Sequence, residues 1–253
     1  MSDGFEIAVQ VAGPADGPTL LLLAGQANNH HWWDRVRGGF EDRWRTVSLD
    51  QRGTGASRGP VTEWSTRLFA DDAATVLAAT GGGPAAVYGT SMGGRVAQLL
   101  AAEHPHLVGR LVLACTSPGG PQAHERDHDV RRRLSHPDPA ARRATLRELF
   151  YSDDWPHRPE DSVLFGDRTL TPAETRAHLR VSGRHDAWDL LPTIVAPTLV
   201  LHGTDDRMVP TANAPLIAGR IPGAELRLHE GGRHGFFEEF ATNVTPLVRQ
   251  FLE

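Results

Sequence analysis

The chain has 253 residues, a formal net charge of −5 and one cysteine. All 26 basic residues are arginine and lysine is absent, which excludes Schiff-base catalysis, pyridoxal phosphate attachment and a Walker A phosphate loop, since each needs a lysine amine. The acidic balance gives no ground for a nucleic-acid partner, and no apolar run is long enough to span a bilayer. With no signal peptide ahead of the fold, cytoplasmic residence is the expectation.

A chain of this length suits one α/β domain able to bury roughly three quarters of its unfolded surface. Strand-like runs at 5–11, 19–24, 46–50, 85–89, 110–115, 198–202 and 225–229 alternate with helical stretches. That rhythm predicts a mostly parallel central sheet flanked by helices. Little precedes Phe5, so the opening strand should be short or absent. The run Leu20–Leu23 ends in Ala24-Gly25-Gln26. His30-His31-Trp32-Trp33 follows; adjacent histidines point in different directions and make a poor metal pair. One tryptophan is expected to pack under the loop, leaving the other free to line a pocket. In the glycine-rich stretch Asp50–Ser57, Asp50 and Arg52 are expected to fix turns. Thr80-Gly81-Gly82-Gly83-Pro84 joins a helix to a strand and lacks the context of a dinucleotide fingerprint.

The most informative stretch is Gly89-Thr90-Ser91-Met92-Gly93-Gly94. An apolar strand, Ala85–Tyr88, precedes it. A helical pattern with Val96, Leu99 and Leu100 on one face follows and ends by Pro105. A strand that turns at once into a helix forces its apex residue into a strained conformation, and glycines two positions either side relieve the crowding. This is the G-x-S-x-G nucleophile elbow, which lifts a serine hydroxyl clear of a sheet.

Cys115 sits at a predicted strand end, where an inert buried thiol is expected. Between Pro118 and Pro192 the strand rhythm stops. Segments 122–135, 139–151 and 172–183 read as helices, with Pro139 and Pro172 suited to first-turn positions. His124-Glu125-Arg126-Asp127-His128 spells the zinc-protease motif H-E-x-x-H. A zinc site wants a third ligand and apolar surroundings, whereas Arg126, Asp127, Asp129 and Arg131 describe a solvated surface, so no metal is expected. The run Arg131–Arg133, interspersed with acids, reads as a wet helix face.

A serine needs a base, and the base an orienting acid. Downstream, a buried strand ending in His202-Gly203 leads into Thr204-Asp205-Asp206-Arg207, and the strand Glu225–His229 leads into Glu230-Gly231-Gly232-Arg233-His234-Gly235. Both loops follow strands, the end at which open α/β sheets bind ligands. Either Asp205 or Asp206 could serve as acid, or simply as a turn former.

With the order Ser…Asp…His, the loop Asp50-Gln51-Arg52-Gly53-Thr54-Gly55-Ala56-Ser57 and the segments His202-Gly203-x-x-Asp206 and Gly232-Arg233-His234-Gly235, the chain resembles the α/β-hydrolases, in particular the compact serine esterase, enol-lactonase and cofactor-free haloperoxidase group. The resemblance runs from Leu20 to the C-terminus. It implies an α/β-hydrolase fold with a core at 1–118 and 192–253 and a helical cap at 119–191, inserted before the penultimate strand. It selects Asp206, three residues after the glycine, as acid beside Ser91 and His234. It implies an oxyanion hole from the backbone N–H groups of Gln26 and Met92, no cofactor, no metal, and a small-molecule acyl substrate. Relatives mostly carry His-Gly where this chain has Ala24-Gly25-Gln26, so a loop-bracing histidine is missing. The expected activity is hydrolysis of a small to medium ester, lactone or thioester. The rivals are a perhydrolase or haloperoxidase, a lyase or isomerase using the triad as a proton relay, and a ligand-sensing protein without catalysis.

Overall fold

In the computed structural model, which describes residues 1, 3–81, 83–158 and 161–253, the strands are β1 (Val9–Ala12), β2 (Thr19–Leu23), β3 (Arg45–Leu49), β4 (Ala85–Thr90), β5 (Val108–Ala114), β6 (Thr198–Gly203) and β7 (Glu225–His229). They form one sheet in the order β1-β3-β2-β4-β5-β6-β7. Only β1 runs antiparallel to its neighbour; β3, β2, β4, β5, β6 and β7 are parallel. Strand β2 shows why its sequence is apolar throughout. Side chains alternate across a strand, so Leu21 and Leu23 enter one apolar cluster and Leu20 and Leu22 the other. Helices α1 (Thr66–Thr80), α2 (Met92–Glu103) and α6 (Asn213–Arg220) contribute to the first cluster, and α8 (Ala241–Leu252) to the second. A short α7 (Phe236–Glu239) precedes α8. Gly82, in the connection between α1 and β4, lies outside the described residues.

The opening strand is shorter than the run 5–11. Ala8 N–H donates to Ser57 Oγ at 2.8 Å and Phe5 packs edge-on against Trp64, so the first residues are drawn onto the glycine-rich loop instead of the sheet. That loop is also where Arg52 departs from expectation. Asp50 does brace the turn, accepting from Ala56 N–H at 2.8 Å, but the Arg52 side chain leaves its own loop. It grips Asp72 on α1 with two bonds, 2.6 and 2.7 Å, and both side chains are buried. Arg52 also holds Asp3 with two bonds, 2.5 and 3.2 Å, so Asp72→Ala removes the buried half of its partners rather than all of them and should cost ~1.5–3 kcal/mol. Urea unfolding of the two proteins checks it; a loss below about 1 kcal/mol, the scale of a surface ion pair, would show that the pair holds nothing.

Between β5 and β6 lie α3 (His128–Leu134), α4 (Pro139–Phe150) and α5 (Pro172–Gly183). Proline occupies the first turn of α4 and α5, and Thr171 with Glu174 closes a capping box on α5. The first helix begins six residues later than the pattern 122–135 suggests. Gly119 and Gly120 adopt left-handed backbone (φ 70° and 67°), and Asn213 clamps the next segment, receiving His124 N–H and donating to the His124 carbonyl, both at 2.9 Å. His124–Asp127 therefore forms a loop, and the two imidazoles of H-E-x-x-H do not share a helix face. Among the described residues, no helix is long and apolar enough to cross a membrane.

Candidate active site

Strand β4 ends at Thr90 and α2 begins at Met92, leaving Ser91 alone at the turn with φ 54° and ψ −119°. The flanking glycines are required by contact. A Cβ on Gly89 would lie 2.5 Å from the Gly93 carbonyl oxygen, and one on Gly93 only 2.1 Å from that of Leu23. The elbow is thus wedged between its own helix and β2. The carbonyl of Ser91 accepts from Thr116 Oγ1 at 2.7 Å, which ties the apex to the end of β5.

His234 meets Ser91 from the loop after β7. Its Nε2 lies 3.0 Å from Ser91 Oγ and its Nδ1 2.7 Å from Asp206 Oδ2. A carboxylate at Nδ1 holds the proton there, leaving Nε2 to accept from the serine hydroxyl. Asp206 is 4 % exposed and His234 1 %. The N–H groups of Met208 and Val209 each donate to Asp206 Oδ1 at 2.9 Å. Burial opposes ionisation of Asp206, but the charge of His234 and hydrogen bonds from His202 and His234 outweigh it and hold the carboxyl well below the usual range. Asp205 is exposed, and its carboxylate accepts from the neighbouring Thr204 hydroxyl at 3.1 Å.

Two contributors escaped the sequence reading. His202, at the end of β6, places Nε2 3.2 Å from Asp206 Oδ2 and 2.9 Å from the Val209 carbonyl oxygen; its position in the His-Gly motif was the available signal. The histidine loop is fastened by α4, whose C-terminal carbonyls lack helical partners. Leu149 O accepts from His234 N–H at 3.1 Å, Phe150 O from Gly235 N–H at 2.8 Å, and the Phe150 ring stands edge-on to the imidazole at 4.9 Å. No local pattern announces contacts between segments 85 residues apart.

Met92 opens α2, so its N–H has no intrahelical acceptor. The N–H of Gln26 has no acceptor among the described residues. In the loop carrying it, Ala27 has φ 56°, Asn28 Nδ2 donates to the Gln26 carbonyl at 3.0 Å, and the Ala27 carbonyl receives Asp167 N–H at 2.8 Å. In this chain the loop rests on Trp32. Its indole fills the space beside Gly25, where a Cβ would lie 2.4 Å from the ring, and donates to Thr90 Oγ1 at 2.8 Å. Trp33 packs on Tyr88 and Phe237. Both tryptophans are fully buried, so neither is left over as the sequence suggested. Arg126 also departs from the solvated reading: it is half-buried and donates to Met208 Sδ at 3.0 Å. Arg131, Arg132 and Arg133 instead pair with Glu125, Asp129 and Glu148.

A mostly parallel sheet covered on both faces, with a serine at the strand-to-helix apex opposite a carboxylate-bound imidazole, defines the class. The chain belongs to the α/β hydrolase fold family, whose model matches residues 18–241. It is 30% identical over 258 residues to RutD of Caulobacter sp. (strain K31), named as a candidate carbamate hydrolase, covering 99% of this chain and 96% of that protein. Among solved structures, a hydrolase from Pseudomonas aeruginosa PA01 superposes with a TM-score of 0.84 at 27% identity, covering 100% of this chain and 96% of the other. A thermophilic esterase from Thermogutta terrifontis does so with 0.81 at 27%, covering 98% and 93%.

Proposed function

We propose that the protein hydrolyses a small to medium carboxylic ester, lactone or thioester through an acyl-enzyme on Ser91. The observation that carries this reading is the 3.0 Å approach of His234 Nε2 to Ser91 Oγ while Nδ1 rests on a buried carboxylate. His234 takes the hydroxyl proton as Oγ attacks the acyl carbon, and Asp206 supports the resulting positive charge. The tetrahedral oxyanion is received by the N–H groups of Met92 and Gln26, worth ~2.7–4 kcal/mol per donor. Collapse expels the alcohol or thiol, which takes its proton from His234. Water, deprotonated by the same imidazole, then releases the acid. The helices of 119–191 act as a lid over this site, with the α4 carbonyls fixing the histidine loop. The likeness to an esterase supports the ester class, and the RutD relative adds carbamates, whose carbonyl presents the same electrophile.

The test is to mix the protein with a p-nitrophenyl ester, quench in acid during turnover, and weigh the intact chain and its peptides. An acyl adduct on the peptide containing Ser91, formed and lost with the course of hydrolysis, is expected. Turnover with no adduct, under conditions where acylation outpaces deacylation, would mean that His234 acts as general base for direct attack of water on the ester, and would remove the acyl-enzyme. Acyl transfer to hydrogen peroxide in preference to water would make it a perhydrolase.

A further inference from the structure

Two guanidinium groups, one on the helix that Ser91 caps and one resting on Met208, have no carboxylate partner among the described residues. Arg95 lies one helical turn along α2 from Ser91 and donates to the Ser182 carbonyl and hydroxyl at 2.5 and 3.0 Å and to Ser117 Oγ at 2.8 Å. Arg126 reaches in from the loop ahead of α3 and finds a thioether, Met208 Sδ. No ion pair to either is present among the described residues, in a chain whose other arginines repeatedly seek acids. A thioether is a weak acceptor, so most of the hydrogen-bonding capacity of Arg126 is unused.

Their anchors adjoin the reacting groups. Met208 donates its N–H to Asp206 Oδ1, and Ser117 follows Thr116, whose hydroxyl bonds the Ser91 carbonyl. The Arg95 and Arg126 side chains are half-buried. Burial, and then the charge of Arg126, hold Arg95 below the ordinary guanidinium range. Burial likewise lowers Arg126, and the charges of Glu125 and Asp206 recover this only in part. Glu125, the acid next in sequence, is exposed and turned to Arg131 at 3.0 Å. Like charges that are partly withdrawn from water are stabilised when an anion completes the set.

The geometry points to Arg126, together with Arg95, as a subsite for a carboxylate carried by the substrate, so that the preferred ester, lactone or thioester is an anion with a second, free carboxyl group. This rests on the acyl-enzyme reading for the substrate but not for the anion. Guanidinium is suited to the task, being permanently charged and forked to match a carboxylate.

Two substrates test it: p-nitrophenyl valerate and the p-nitrophenyl monoester of glutaric acid, which differ only in a terminal methyl against a terminal carboxylate. A hydrogen bond to a charged group is worth ~1.5–3 kcal/mol, so kcat/KM should favour the monoester by about 10- to 100-fold. Arg126→Gln should bring that ratio close to unity, mainly through KM, and Arg126→Lys should restore part of it. A wild-type ratio at or below one overturns the subsite, as does an R126Q protein in which both esters fall together with the ratio kept. Calorimetric titration with glutarate separates the two readings. If neither ester is turned over, the hydrolase reading fails, while saturable glutarate binding lost in R126Q still upholds the subsite and its absence in the wild type refutes it.

Discussion

Replacing Ser91 with alanine is expected to lower kcat for ester hydrolysis by about 10⁴-fold or more, the order seen when a triad nucleophile is removed from other serine hydrolases. The size follows from what the side chain does. Without Oγ no acyl-enzyme can form, and the remaining rate comes from water attacking a substrate held by the oxyanion donors alone. The fold should survive. Alanine tolerates φ 54° no worse than serine, since each carries a Cβ, and the crowded contacts of the elbow belong to Gly89 and Gly93, not to the hydroxyl. Steady-state hydrolysis of a p-nitrophenyl ester measured beside thermal unfolding separates the effects. A variant that melts with the wild type yet keeps a tenth of its rate would remove Ser91 from the mechanism.

Asp206→Asn should be nearly as damaging, with kcat down about 10⁴-fold by comparison with the same change in other triads. The amide is nearly isosteric, but its NH₂ can face Nδ1 and push the imidazole into the tautomer that carries its proton on Nε2, toward Ser91 Oγ. A second readout comes from acid stability. The folded-state pKa of Asp206 lies below its unfolded value. Its contribution is therefore complete above the unfolded pKa of ~3.9 and is lost as pH falls from there toward the folded value. Urea unfolding of the wild type should show a stability loss on acidification below about pH 4 that is shallower in D206N. Equal slopes in the two proteins would mean that the carboxylate is not held ionised by its partners.

The readings that succeeded on sequence were those with local physics. The elbow is a steric statement about five neighbouring residues, and the apolar runs announce strands covered on both faces because every side chain in them must be buried. Proline at the first turn placed the starts of α4 and α5 for the same reason: φ is set by the residue itself. Choosing Asp206 over Asp205 needed the family pattern, since side by side the two aspartates are chemically alike; only the folded loop buries one and exposes the other.

The failures share an opposite cause. The helix expected from residue 122 starts at His128 because Asn213, 89 residues away, captures the His124 backbone. Phe5 leaves the sheet for Trp64, Trp33 packs away on Tyr88 and Phe237, and Arg126 turns from the solvent to Met208. Each is decided by a partner distant in the chain, and spacing carries no record of which distant surfaces will touch. By itself the chain's order of residues determined the strands, the strained serine and the kind of side chains that could activate it. Their meeting at 2.7 and 3.0 Å, the hold of α4 on the histidine loop and the anchoring of Arg126 on Met208 were decided by tertiary packing alone, because close distances between remote segments exist only once the sheet and its insertion have closed on one another.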